Sequence, residues 1–385
     1  MAKAHDMMAG VIADESARQD HALALRMHLY KVYGTSVRGF FENRVVPAHL
    51  KAHGRPPATH AEARRSLEAT GPYRFWSAMM RDAQRQLWDS VAESVDRNQT
   101  EQQDSFTRFH DSARGSLTLN AALEMPSYIT AVDHHCMPGS YHTESRPNDL
   151  RAGALYDFGG AMYMRAISSS SGGALNDGRG HSLAGFMFQN RPGFKPRRIL
   201  DMGCTVGHNT LPLCTHFPDA EIFALDVGAP CLRYAHARAE ALGCKVQFVQ
   251  ANAEKTDFPD GHFDLVVSQI MMHEMNRPAI GNVFRESHRL LRPGGIVAHL
   301  DVPFAFQHMD LFEQVGATWE QYHNNETYVE GLCRTDFAAV ASAAGFHDLK
   351  IGYQKSIRDP VTEATPLLER PAKDGRYWLV VSGVK

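Results

Sequence analysis

An α/β fold built on a mostly parallel sheet, with a helical domain in front of it, is what this chain predicts on three observations. From residue 198 onward short apolar runs alternate with helical stretches, and the first reaches Asp201 before Gly203 and Gly207 frame a turn. A second run, Ile222 to Leu225, ends in Asp226. Residues 1–150, by contrast, carry no strand-like alternation of any length and space their apolar residues as helices do. Glycine takes backbone conformations other residues resist, and its missing Cβ lets a ligand lie against the main chain. An acid at the end of the second strand of a parallel sheet can hold a ribose diol. The layout is that of a nucleotide-type cofactor site.

Along the chain, Leu25, Leu29, Tyr33 and Val37 form one helical stripe. Trp76, Met80, Ala83, Leu87, Val91 and Val95 form another, with Pro72 near the start of that helix. Both stripes are read as core faces. The polar stretch Asp96 to Ser105 is expected to be an exposed turn or a helix tail, and a third apolar stretch runs from Leu117 to Val132. Residues 168–180, rich in Ser and Gly, cannot hold regular structure cheaply and mark a connection or a lid. A short helix, Ser182 to Asn190, then leads into the alternating strands and helices. Phe346 to Tyr353 and Tyr377 to Val384 are expected to pair antiparallel and close the sheet. The aromatic-rich insertion 303–332 and the N-terminal helices stand where the walls of a substrate pocket belong. The division expected is a helical capping domain at 1–150, a connecting or lid segment at 151–181, and a cofactor-binding catalytic domain at 182–385.

The kind of cofactor follows from where glycine is missing. A dinucleotide turn needs G-x-G-x-x-G, but Thr205 and His208 stand where the second and third glycines would fall after Gly203. No Gly-Lys-Ser/Thr follows, which excludes a Walker loop. The segment Asp201-Met202-Gly203-Cys204-Thr205-Val206-Gly207 instead resembles the first motif of the class I S-adenosylmethionine-dependent methyltransferases, with Thr205 replacing the middle glycine. The resemblance continues in order over residues 197–302: Asp226, then Asn252-Ala253-Glu254, then Phe263 to Ser268 with Gln269 to Met275 after it, then Arg289 to Gly295 before strand five. The family commonly has Asp where Asn252 stands.

The resemblance implies a Rossmann-like, seven-stranded, mostly parallel sheet and S-adenosyl-L-methionine as cofactor. Asp201, Gly203, Cys204 and Gly207 are expected at its methionine end, Asp226 and Val227 at the ribose, and Asn252, Ala253 and Glu254 at the adenine. Ser268 and Gln269 close that list, with Tyr156 of Tyr156-Asp157-Phe158-Gly159-Gly160 over the cofactor. The details resemble the ubiquinone/menaquinone-biosynthesis-like branch, which methylates unrelated small molecules.

Methyl transfer from a sulfonium starts from an activated donor, so the protein aligns the nucleophile, excludes water and at most removes a proton. His273, with Glu274 beside it, is the candidate base or acceptor contact, because imidazole titrates in the useful range. Asp301, near His299 at the end of strand five, is a further catalytic candidate or a helix cap. The segment Asp133 to Glu144 is rich in reactive side chains, and His135, Tyr141 and His142 are read as substrate-binding, alongside His273. No metal is expected, since adjacent His134 and His135 do not easily face one ion and no second ligand cluster has recognisable spacing.

A formal charge of −3 gives no general attraction to nucleic acid or anionic membrane, and no basic runs interleave with aromatics. No run approaches the ~20 apolar residues of a membrane span, and the first residues lack a secretory pattern. Six scattered cysteines show no C-x-x-C pair, so the chain reads as reduced and cytoplasmic. The partner expected is a small-molecule methyl acceptor, and surplus apolar helix faces leave a homodimer through the helical domain open. Two alternatives stand beside this reading: a protein or nucleic-acid methyltransferase, and a cofactor-binding protein that transfers no methyl group.

Overall fold

A computed structural model describes residues 3–167, 175–363, 366–372 and 376–385 of the chain. Its centre is a sheet with strands β1 (Ser116–Thr118), β2 (Arg198–Met202), β3 (Glu221–Asp226), β4 (Gln247–Gln250), β5 (Phe263–Gln269), β6 (Leu291–Asp301), β7 (His347–Lys355) and β8 (Tyr377–Val384). The order is β1-β4-β3-β2-β5-β6-β8-β7. β8 runs antiparallel to both β6 and β7, and the remaining pairings are parallel. Strand order reverses between β2 and β5, and at such a reversal the loops leaving the carboxyl ends part and open a crevice.

Both faces of the sheet are covered, which explains why its central strands are apolar on both sides. Leu200, Met202, Leu225 and Val266 pack against Ile280, Val283 and Phe284 of the helix Arg277–Leu290. Ile199, Ala224, Leu265 and Val267 pack on the other side with Leu183 and Phe186 of the helix Gly178–Asn190 and Leu232 and Ala235 of the helix Ala229–Ala241.

The sheet has eight strands rather than the seven expected. The additional one, β1, comes from the N-terminal region and pairs Ser116–Thr118 with Gln247–Val249 of β4. Three residues are too few to carry a period-two pattern. Of the two alternatives for Asp96 to Ser105, the helix tail holds for Asp96 and Arg97, which end the helix Gly71–Arg97, while Gln99 to Ser105 open a second helix, Gln99–Asp111, rather than a turn. Polar composition misled there because Gln102 turns inward and donates to the Met7 carbonyl at 2.9 Å. Residues 151–167 of the expected connecting segment form a helix whose Ala154, Leu155 and Phe158 share a core with Trp88 and Tyr234. Residues 168–174 of the expected loop lie outside the described residues.

The insertion after β6 folds back on the N-terminal helices. Trp319 of the helix Leu311–His323 lies 5.6 Å from Trp76 between ring centres and donates its Nε1 hydrogen to Ser77 Oγ at 2.8 Å. The insertion and the helical region therefore share one core, and together they roof the carboxyl ends of the strands. Among the described residues, no helix is long and apolar enough to cross a membrane.

Candidate active site

The crevice at the strand reversal is a cavity with about 620 Å³ of unfilled space, continuous with solvent. Gly203 and Thr205 form one wall, Asp226 and Val227 a second, and Asn252 and Ala253 a third. Tyr128, Tyr141, Tyr156, Met271, Glu274 and Met275 enclose the remainder.

The turn after β2 shows why its sequence is glycine-rich. Gly203 adopts φ +70° and Gly207 φ +81°, and a Cβ on Gly203 would stand 2.5 Å from Met271 Sδ. Thr205 holds φ +49° although it is not glycine. Its N–H donates to Asp226 Oδ2 at 2.9 Å, which offsets part of a strain of roughly 1–2 kcal/mol. Thr205 thus holds the left-handed conformation that glycine adopts most readily. Ile270, at the end of β5, is a second strained position at φ +44° and also lines the cavity.

Asp226 is buried at the tip of β3, where its two oxygens accept from Thr205 N–H and Gly228 N–H (2.8 Å to Gly228). Burial raises its carboxyl above the ordinary value and these N–H groups pull it back. Each oxygen keeps a lone pair for a ligand hydroxyl. Asn252 spends one acceptor on its own turn, taking the Glu254 N–H at 2.9 Å.

The expected cofactor residues divide into two groups. Gly203, Asp226, Val227, Asn252, Ala253 and Tyr156 line the cavity; Asp201, Cys204, Gly207, Glu254, Ser268 and Gln269 stand behind it. Asp201 turns away to accept from Thr210 Oγ1 at 2.6 Å and Asn209 Nδ2 at 3.0 Å, tying the turn to the next helix, and burial lifts its carboxyl to about 7. Glu254 is occupied by the Tyr128 hydroxyl (2.8 Å) and Asn282 (2.6 Å). Ser268 Oγ faces His299 Nδ1 at 2.8 Å inside the sheet.

The chemical candidates converge at the opposite end of the cavity. Glu274 lines it and accepts from the Tyr141 hydroxyl at 2.9 Å, while His135 Nε2 lies 3.0 Å from the same oxygen. His273 stands behind Glu274, its Nε2 at 3.7 Å and its Nδ1 at 2.7 Å from Asp301 Oδ1. Burial alone would lower His273, but the Asp301 carboxylate raises it to about 9. The histidine expected as a base is thus held protonated at neutral pH when only protein groups surround it. Asp301 is no acceptor contact: it takes the N–H groups of Met272 (2.8 Å) and Val302 (2.7 Å) and fixes this turn. The neighbouring imidazoles more than offset the burial that would raise the Glu274 carboxyl, and hold it well below the usual carboxylate range. His142 lies away from the cavity wall, half-buried, with Nδ1 unpartnered.

Glu326, which sequence reasoning missed, faces His135 Nδ1 at 2.9 Å from inside the insertion. The aromatic content of that insertion carries no signal for this acid. Tyr156 also gains support: its ring stacks on His208, whose Nε2 lies 2.7 Å from the buried Asp157.

A mostly parallel sheet with this strand order, closed by an antiparallel strand, with a left-handed glycine turn after β2 and an acid at the tip of β3, is the arrangement of the class I S-adenosylmethionine-dependent methyltransferase domain, and this chain carries such a domain. Residues 199–295 match the family model described as Methyltransferase domain. Demethylmenaquinone methyltransferase of Thermus thermophilus is 37% identical over 108 residues, 28% of this chain and 48% of its own length. Phosphoethanolamine N-methyltransferase 3 of Arabidopsis thaliana is 30% identical over 116 residues, 30% of this chain and 22% of its own. Among solved structures, phosphoethanolamine N-methyltransferase 2 of Haemonchus contortus, in complex with phosphomonomethylethanolamine and S-adenosylhomocysteine, aligns at 15% identity over 52% of each chain with a TM-score of 0.38. The chain thus spans about half or less of the length of these curated relatives.

Proposed function

We propose that the protein transfers a methyl group from S-adenosylmethionine to a small-molecule acceptor. One observation carries the reading: one cavity has a buried carboxylate suited to a diol, Asp226, on one wall and a polar pair, Tyr141 and Glu274, on another. The first suits the ribose, with the turn Gly203–Thr205 beside the methionine portion and Asn252–Ala253 beside the adenine. The second suits an acceptor. In the transfer, the acceptor lone pair forms the new bond to the methyl carbon while the sulfur–carbon pair returns to sulfur, leaving a neutral thioether. The chain aligns the acceptor with the sulfonium, excludes water through the roof of Tyr128, Tyr141 and Tyr156, and holds the acceptor through Glu274.

A recessed cavity of this size, roofed in part by Tyr128, Tyr141 and Tyr156, supports a metabolite over a macromolecule, and the formal charge of −3 supports neither nucleic acid nor membrane as partner. Six free cysteines are in keeping with a reducing, cytoplasmic setting. Division into a capping domain (1–150), a connecting segment (151–181) and a catalytic domain (182–385) belongs to the same reading, as does dimerisation through the helical region.

The test is release of S-adenosylhomocysteine from S-adenosylmethionine on addition of fractionated metabolite extracts. Acceptor-dependent release is expected, and Glu274→Gln should lower the rate far more than it lowers donor affinity. Donor binding with no release across broad extracts would leave a binding protein instead.

A further inference from the structure

Glu274 is surrounded in a manner that holding an acceptor does not require. Three imidazoles turn their Nε2 atoms toward its one carboxylate: His135 at 3.0 Å, His134 at 3.5 Å and His273 at 3.7 Å. Each ring is held from behind by its other nitrogen, His134 on Ser140 Oγ (3.0 Å), His135 on Glu326 (2.9 Å) and His273 on Asp301 (2.7 Å). The ligand atoms of His135, His273 and Glu274 all lie within 4.8 Å of one another. Glu274 Oε2 and His134 Nε2 are buried without a hydrogen-bond partner.

The backbone is strained at the same place. His135 sits at φ 55° and ψ 18°, and Cys136 at φ 58°, both left-handed without glycine. Such conformations are disfavoured for residues other than glycine and persist only where surrounding contacts over-determine them. Here the His135 carbonyl accepts from Trp88 Nε1 at 2.7 Å and Gln84 Nε2 at 3.0 Å, so the long helix Gly71–Arg97 pins the turn. Without the left-handed turn, consecutive histidines would point apart; with it, both face Glu274.

We propose that His135, His273 and Glu274 bind one divalent transition-metal ion of the zinc type at the acceptor end of the cavity. Two imidazole nitrogens and one carboxylate oxygen are borderline donors, which suit zinc and its neighbours over the all-oxygen shells of magnesium and calcium. A tetrahedral ion with ligand bonds near ~2.0–2.1 Å sets its donor atoms roughly 3.3–3.5 Å apart. The separations of 3.0 and 3.7 Å from Glu274 Oε1 bracket that value. A carboxylate behind each ligand imidazole is the arrangement that orients metal-binding histidines and makes them better donors. Three protein ligands leave a coordination position open, and Glu274 places it on the cavity wall. The group this position takes is an anionic oxygen or sulfur of the acceptor, a phenolate or thiolate in particular. That use rests on the methyl-transfer reading, whereas the metal site rests on the side chains alone.

The experiment is calorimetric titration of Zn²⁺ into the chelator-stripped, untagged full chain, with Co²⁺ absorption as a spectroscopic readout and S-adenosylhomocysteine binding measured on the same samples. One ion per chain is expected, with tetrahedral Co²⁺ bands. His273→Ala and Glu274→Gln should each weaken it about 100-fold or more, and Glu326→Gln roughly 10-fold or more. His142→Ala should leave it unchanged. Retained S-adenosylhomocysteine binding shows that each variant is folded; a variant that loses both is replaced by His135→Gln. Absence of Zn²⁺ binding, or equal binding by wild type, His273→Ala and Glu274→Gln, would overturn the proposal. Zn²⁺ binding without S-adenosylhomocysteine binding would keep the metal site and remove the methyl-transfer reading, so the two failures are separable.

Discussion

Replacing Asp226 by asparagine tests the cofactor assignment at its most exposed point. The carboxylate already accepts backbone N–H groups from Thr205 and Gly228, so the isosteric change keeps volume while removing the charge. One side of the amide must then offer a donor, either toward a backbone N–H or toward the ligand diol. A hydrogen bond to a charged acceptor contributes about 1.5–3 kcal/mol. Loss of about 2 kcal/mol corresponds to a roughly 30-fold rise in Kd. Calorimetric titration of S-adenosylhomocysteine into both proteins at pH 7.5 reads this directly, with thermal melting to show that the variant remains folded. A folded Asp226→Asn protein with less than a threefold change in Kd would refute the argument that this carboxylate holds the ribose.

Three further predictions follow from other parts of the molecule. Buried His299 is lowered to about 3 by burial alone, so its folded value lies below the unfolded value near 6.5. The unfolded chain then takes up the proton first, and stability falls as pH drops through 6.5 toward 3. Between pH 7.5 and pH 5 this residue should cost about 2 kcal/mol, a loss that denaturant unfolding should find largely absent in His299→Gln; parallel profiles would contradict it. Thr205→Gly should relieve the left-handed strain at the expense of chain entropy, leaving stability within about 1 kcal/mol and S-adenosylhomocysteine affinity within about threefold; a large loss of affinity would mean that the threonine side chain itself binds. Trp319→Ala should cost about 3–5 kcal/mol in urea unfolding, because that ring joins the insertion to the helical region through Trp76 and Ser77; a cost below ~1 kcal/mol would detach the roof from the core.

The legible half of the site is the half written locally. Gly203, Asp226 and Asn252 each stand at or just past the carboxyl end of a strand, so position along the chain fixes position at the strand tips. Asp201 lies on β2 as its apolar neighbours indicate, but the direction its carboxylate takes is set by Asn209 and Thr210 at the start of the next helix, not by its own strand. The cluster around Glu274 was not legible as a cluster. His135, Glu274 and Glu326 come from three segments that meet only after the helical region and the insertion close over the sheet. The adjacent histidines argued against a shared target because ordinary backbone would splay them, and nothing in the residue types announces the left-handed turn at His135 and Cys136. Strand β1 is not legible in the sequence because it owes its existence to the edge of β4 more than to its own three residues.

A crystal structure with S-adenosylhomocysteine tests the central claim most directly. The ribose hydroxyls should lie on Asp226, the adenine beside Asn252 and Ala253, and the sulfur should face the end of the cavity where Tyr141 and Glu274 meet. Ligand density elsewhere, or a sulfur turned away from Glu274, would contradict the account and leave this cavity without its assigned role.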